Sequence, residues 1–326
     1  MFWEILLGFL LPFAPITGPE PGAAAAPLAP VVDSVTVETY SPQQTPFAVR
    51  FGDAVNDYRV MAMFVLPNEA VPVMVTRGAG EYDLVSADGF ASPVSRGAWR
   101  WIAPTKPGLY PVEIRDRQSH QSMTLNVFVM VPFAAARGGS IGDYHIGRYP
   151  NSRSEFYEQP RGFVRVTPEL RSAAVSPHFR LEQFVCKQAG GPPEYLVLRQ
   201  PLLVKLEEVL AQVNAQGREA HTFTLLSAYR TPSYNAAIGN VTTFSRHHYG
   251  DAADIFVDVD GDGRMDDLNR DGRYTLADAH WLGQLVQNVQ DDSEDLVGGL
   301  GTYSPTSGHG AFVHVDVRGF QAHWGG

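Results

Sequence analysis

The segment Ser245-Arg246-His247-His248-Tyr249-Gly250-Asp251-Ala252-Ala253-Asp254 constrains this chain more than any other stretch. It sets an imidazole and a carboxylate seven residues apart, with small residues between them that let the backbone close in. A further imidazole, His314, follows in Phe312-Val313-His314-Val315-Asp316. Two histidines and one carboxylate make a three-ligand zinc set with a fourth position open to water, which is the arrangement of a catalytic site rather than a structural one. Any fold that serves this set has to bring two distant segments together.

At 326 residues the chain is long for one core, and two domains are expected. The 44% apolar and 18% charged content is that of a globular protein. A net charge of -10 argues against a nucleic-acid partner, because phosphate binding needs a basic patch. The single cysteine, Cys186, excludes an internal disulfide and a cysteine-based metal site, and reads as a small buried side chain. Phe2 to Phe13 is almost wholly apolar and is followed by a Pro/Ala/Gly-rich run. It is short for a bilayer span and fits the apolar part of an export signal, with Ala23 to Ala26 as a small-residue cleavage region. The absence of Lys or Arg before it, and the presence of Glu4, leave an uncleaved N-terminal anchor as the other reading. Residues 1–30 are therefore read as a signal or anchor of a protein exported to the periplasm or cell envelope.

Over 31–133, short alternating runs are broken by Gly, Pro, Asn and Asp. They include Ser34–Glu38, Phe47–Phe51, Val60–Val65, Val73–Val75 and Met123–Met130. Trp99-Arg100-Trp101 leads through a Pro/Gly turn into Leu109–Ile114. This spacing predicts an antiparallel, immunoglobulin-like all-β sandwich. A connector over 134–160 is rich in large residues around Tyr144–Pro150 and is expected to pack on the second domain. From 161 to 326 an α+β domain is expected, with helices on a small, mainly antiparallel sheet. Leu202, Leu203, Leu206, Val209, Leu210 and Val213 recur at helical spacing, and a second helix is expected from about Leu276 to Gln290. Strands are expected at Phe223–Leu226, Ala253–Val257 and, closing the domain, Ala311–Val317.

The pattern Ser-x-His-x-x-Gly-x-Ala-x-Asp, followed by a strand and later by His-x-Asp, resembles the zinc D-alanyl-D-alanine carboxypeptidases, and more closely the murein endopeptidases with a His-Val-Asp ending. Ser227-Ala228-Tyr229-Arg230-Thr231-Pro232 also matches, and the resemblance covers roughly residues 160 to 324. It implies a zinc peptidase acting on peptidoglycan peptides, with His247, Asp254 and His314 as zinc ligands. Ser245 and Gly250 would shape the ligand loop, with Ser245 toward the substrate. Arg230 would face a substrate carboxylate or the scissile carbonyl, or else form a structural ion pair. His248 has no motif role.

One position departs from the family pattern. Many members carry Glu or Asp three residues before the last zinc histidine, as general base, and here Ala311 stands there. Asp316 shares a strand face with His314 and would either accept a proton or orient a ligand imidazole. His309, between glycines, would stabilise the transition state or be an ordinary loop histidine.

The acidic segment 258–278 reads as two EF-hand-like loops. Asp258, Asp260 and Asp262 with Gly263 form the first; Asp267, Asn269, Asp271, Gly272 and Asp278 form the second, which is the more complete. Oxygen ligands at alternate positions around a turning glycine suit Ca²⁺ in a structural role. The expectation is thus a zinc peptidase with bound calcium; a non-catalytic zinc- and calcium-stabilised envelope module is the alternative.

Overall fold

The computed structural model describes residues 40–240 and 242–325. The N-terminal signal or anchor segment and the strand expected at Ser34–Glu38 lie outside the described residues. Among the described residues no helix is long and apolar enough to cross a membrane. The described residues are mostly β, arranged in several sheets, with three α-helices among them.

The first part contains β1 (Gln44–Phe51), β2 (Ala54–Tyr58), β3 (Val60–Val65), β4 (Ala70–Arg77), β5 (Tyr82–Ser86), β6 (Phe90–Ser95), β7 (Ala98–Ile102), β8 (Gly108–Asp116) and β9 (Ser122–Val129). They form one sheet in the order β2-β1-β4-β7-β6 and another in the order β3-β9-β8-β5. Alternation along β1 turns Phe47, Val49 and Phe51 inward. The two sheets meet through these inner faces. Phe47 packs on Tyr82 with ring centroids 5.1 Å apart, and the buried Trp101 donates its indole N–H to Ser86 Oγ at 3.3 Å.

The pairing is not wholly antiparallel as the sequence suggests, because β3 runs parallel to β9 from Val60↔Thr124 to Val65↔Val129. β2 and β3 are one extended run interrupted at Arg59, where the chain leaves the first sheet and joins the second. A strand that changes sheets keeps its period of two across the crossing, so alternation alone does not reveal the change.

The later part is built on a five-stranded sheet ordered Thr224–Ser227, Ala252–Phe256, Phe312–Asp316, Gly299–Tyr303, Ala322–Gly325. Every neighbouring pair is antiparallel except the last, which is parallel. Phe312–Asp316 was expected to close the domain. Instead it is the middle strand, and Ala322–Gly325 adds an edge beyond it. The helices are α1 (Gln200–Ala215), the short α2 (Pro232–Ala237) and α3 (Leu276–Asp292). α1 and α3 cover the expected spans and extend each by a few residues.

The register divides the sheet into two unlike faces. Ile255, Val313, Val315, Leu300 and Thr302 point one way, and Gly283 of α3 lies so close over Thr302 and Leu300 that a methyl group there would meet the Thr302 methyl at 3.1 Å. Asp254, His314, Asp316, Gly301 and Tyr303 point the other way. The helices therefore bury the apolar face, and the opposite face carries the chemistry.

The two parts of the chain are in contact. Tyr58 donates its hydroxyl hydrogen to Glu208 of α1 at 2.6 Å, and the Asn126 amide donates to the Ala174 carbonyl at 2.8 Å. The connector packs on the later part, as expected: Ser233 N–H donates to the Ile146 carbonyl at 3.0 Å, and the Tyr149 hydroxyl to the His248 carbonyl at 2.9 Å.

Leu206 is fully buried on α1. Leu206→Ala removes that packing and leaves a cavity, so it is expected to lower unfolding stability by about 2–5 kcal/mol, read from chemical denaturation.

Candidate metal centre

His247 sits in a single 3₁₀ turn, Arg246–Tyr249, that begins after Ser245 and ends at Gly250 in the left-handed region with φ 67°. A side chain at Gly250 would drive its Cβ into the Val197 carbonyl, so this closure admits only glycine. Arg246 locks the turn. It is 3% exposed, donates Nε–H to Asp251 Oδ1 at 3.1 Å, pairs through Nη2 with Asp251 Oδ2, and gives Nη1–H to the Phe156 carbonyl. The Arg246 pair with Asp251 is bidentate and buried, which fixes direction as well as distance. Arg199 joins the same carboxylate at 3.2 Å.

The turn holds the His247 ring by its far nitrogen. Nδ1–H donates to the Ala228 carbonyl at 2.6 Å, which leaves the Nε2 lone pair facing inward. The other two groups arrive by strand pairing. Asp254 and His314 are direct partners across two antiparallel strands, both buried on both faces, so their side chains emerge side by side. His314 Nδ1 lies 2.8 Å from Asp254 Oδ1 and 3.2 Å from His247 Nε2; His247 Nε2 lies 3.3 Å from Asp254 Oδ1. For bonds of about 2.0–2.1 Å at tetrahedral angles, donor atoms stand roughly 3.3 Å apart. The buried trio can therefore hold a metal ion.

Asp316 resolves into one of its two expected roles. Its Oδ2 lies 3.1 Å from His314 Nε2, on the ring edge away from Nδ1. It also takes paired hydrogen bonds from Arg318 and one from Gly299 N–H at 2.7 Å, and it is fully buried. With both oxygens held on the side of His314 away from Nδ1, it takes the place of a carboxylate that orients the His314 imidazole. Such a carboxylate fixes the tautomer that offers Nδ1 to an ion.

Arg230 likewise turns to the site itself. Nη2 pairs with Asp254 Oδ2 and Nε donates to Ser227 Oγ at 2.6 Å, which is the structural ion pair given as the other reading of this residue rather than a side chain turned to substrate. Its side chain keeps 13% exposure. Ser245 is 6% exposed, and its carbonyl accepts from His248 N–H, which makes it part of the turn rather than a surface for substrate. His309 lies in the loop before Phe312, half-buried, with Nδ1–H donating to the Gly310 carbonyl at 2.7 Å and its ring edge-on to Phe312. His248 is buried, with no hydrogen-bond partner for either ring nitrogen among the described residues, and burial pushes its pKa down to about 4.

In the acidic segment both expected loops turn back on their own backbone. Asp258, Asp260 and Asp262 bring one carboxylate oxygen each within 4.8 Å of the others. Each uses one oxygen on a loop N–H, and Asp258 Oδ1 is buried without a partner. The second loop, expected to be the more complete, repeats this pattern. Asp267 accepts from Asp271 and Gly272 N–H, Asn269 Oδ1 from Asp271 N–H, and Asp271 from Arg273 N–H. Asp278 accepts from Leu268, Asn269 and Thr275 N–H and caps α3 in a capping box with Thr275. An aspartate three residues into a helix reads equally as cap or as last loop ligand, and the backbone took it as cap.

Three further features surround the trio and were not among the expected site residues: Arg246 paired with Asp251, Arg318 on Asp316, and Trp324 beside His314. The first had a readable signal, an opposite charge pair bracketing the ligand turn. Compared with known proteins, the chain matches no family model and no curated protein.

Charge at the centre is unevenly shared. Burial pushes His247 down. Burial also opposes charge on His314, but hydrogen bonds to Asp254 and Asp316 outweigh it and raise its pKa to about 8. For both carboxylates burial is outweighed by their partners, His247 and His314 for Asp254 and His314 and Arg318 for Asp316, and both stay well below the ordinary range. A raised histidine stabilises the fold fully below its unfolded pKa and loses that contribution as pH passes its folded pKa. The raised His314 by itself lowers the stability of chelator-treated protein from about pH 6.5 to 8, while Lys205, pushed down to about 7 by burial, adds stability above pH 7. The His314 part is read as the melting difference between chelated wild type and chelated His314→Gln, which should shrink as pH rises through 8; a difference constant with pH would rule out a proton held between His314 and Asp254.

Proposed function

We propose that this protein is a zinc-dependent peptidase that hydrolyses amide bonds in the peptide part of bacterial peptidoglycan, as a carboxypeptidase or an endopeptidase. The observation that carries the reading is the convergence of His247 Nε2, Asp254 Oδ1 and His314 Nδ1, with Ala228, Arg230 and Asp316 each occupying the far atom of a ligand. The motif resemblance in 160–324 supplies the substrate class. On this reading the first part is an immunoglobulin-like module, the later part is the peptidase domain, and the protein acts outside the cytoplasm.

Held by these three side chains, zinc supplies a Lewis acid that polarises a carbonyl and makes water acidic near neutral pH. The residues do the rest. Asp316 and the Ala228 carbonyl orient the imidazoles, and Arg230 keeps the second oxygen of Asp254 off the ion. Nη1 of Arg230 is the guanidinium edge left for a substrate oxygen. His309, held by its own Nδ1–H on the Gly310 carbonyl and by the Phe312 ring, is the group for which the resemblance implies transition-state stabilisation.

The turning of Asp316 onto His314 favours a second reading, a non-catalytic metal-stabilised binding module of the envelope. The two readings separate on purified protein incubated with peptidoglycan. Zinc-loaded full-length protein should release peptide fragments, and His247→Ala or chelation should abolish both zinc uptake and release. Tight zinc binding with no cleavage would support the module instead, and cleavage that survives His247→Ala would end the peptidase reading.

We further propose that the Asp258–Asp260–Asp262 loop takes calcium as a structural ion, supported by its three converging carboxylates. Excess calcium should raise the melting temperature relative to EGTA, and Asp260→Asn should abolish the difference. Superimposable melts of the wild type would remove calcium from the description.

A further inference from the structure

The edge strand Ala322–Gly325 pairs in parallel with Gly299–Tyr303 in the register Gly301↔Trp324. Gly301 in turn faces His314, and His314 faces Asp254. Asp254, His314, Gly301 and Trp324 thus form one row across the ligand-bearing face of the sheet. Gly301 is the gap in that row. A Cβ there would collide with the indole Nε1, and one at Gly299 would come within 2.7 Å of the indole ring and 2.8 Å of Arg318. The two bare positions let the indole lie down across the sheet toward the ligand.

Three contacts fix it there. The indole and the His314 ring have centroids 5.1 Å apart at 50°. The Arg318 guanidinium lies 5.1 Å over the indole while it pairs with Asp316. The indole N–H donates to the Tyr303 hydroxyl at 2.7 Å, which sets the rotation of the ring. Trp324 therefore touches His314 and Arg318, two members of the relay that runs from Arg318 through Asp316 to His314, while Asp316 itself is fully buried.

We propose that Trp324 is a positioning residue of the metal centre, a cover carried in by the last strand that fixes the His314 plane and keeps water away from the His314–Asp316 hydrogen bond. A charge-assisted hydrogen bond is stronger in a dry surrounding, and a water that reached Nε2–H would compete for it. The guanidinium–indole contact holds the outer end of the relay in place. This rests on the reading of His247, Asp254 and His314 as metal ligands, and it adds a role for a strand that has no ligand of its own.

The test uses the full chain with zinc as the probe. Zinc affinity is measured by competition with a chromogenic chelator, and the His314 Nε2–H is followed by NMR of ¹⁵N-histidine-labelled, zinc-loaded protein. Trp324→Ala should weaken zinc binding about ten- to a hundredfold, the range for loss of a group behind a ligand, and should make the Nε2–H exchange too fast to observe. Trp324→Phe should recover part of both. Gly301→Ala, which displaces the indole without deleting it, should reproduce the loss and decides the matter if Trp324→Ala does not fold. Wild-type affinity and a protected Nε2–H in either folded variant would overturn the proposal. Failure of the wild type to bind zinc would instead overturn the ligand assignment, and the cover with it.

Discussion

The antiparallel pairing of Ala252–Phe256 with Phe312–Asp316 is the constraint on which the rest of this structure depends. Backbone hydrogen bonds place Asp254 opposite His314, and the side chains of directly paired residues leave the sheet together. A slip of either strand by one residue would turn its own member of the pair into the apolar face under the helices. The alternation Ile255, Val313 and Val315 against α3 therefore does two things at once: it buries the core and holds the ligand row in register.

Around that pairing, the protein removes freedom from each ligand one atom further out. His247 is steered by the Ala228 carbonyl, Asp254 by Arg230, and His314 by Asp316, which is itself held by Arg318 and Gly299. Lys205, fully buried on α1, donates to the Asp316 carbonyl at 2.7 Å and ties the helix layer to the end of the ligand strand. Burial pushes this lysine down to about 7, against the pull of Asp316. Lys205 thus meets the Asp316 backbone while His314 and Arg318 hold its carboxylate, so each of these charged groups has a partner. That matters because a buried charge left without its partner destabilises a fold by several kcal/mol, of the order of 3–5.

The two acidic loops share one backbone pattern. Gly263 and Gly272 N–H donate to Asp258 and Asp267, Asp262 and Asp271 N–H to Asp260 and Asn269, and Arg264 and Arg273 N–H to Asp262 and Asp271. They differ in two places: Asp258 Oδ1 is buried without a partner in the first, and Asp278 serves a helix terminus in the second. Sequence spacing reads the shared pattern; it does not read those two differences.

Much of this was legible in the residues themselves. Glycine at 250 is demanded by a left-handed turn against Val197, the helical spacing of Leu202 to Val213 marks α1, and the spacing of His247, Asp254 and His314 names the trio that converges. These are local properties: a backbone conformation, a period, a set of donor types. What only the tertiary structure decided is direction. Asp316 shares a face with His314 in either of its expected roles, and the choice fell on the far ring nitrogen because Arg318 and Gly299 hold its oxygens there. Phe312–Asp316 became a middle strand because Gly299–Tyr303 and Ala322–Gly325, neither marked by alternation, add beyond it. Trp324 stands close to His314 in the chain, yet it reaches that ring only across Gly301, which strand pairing brings in from outside the segment that holds them both.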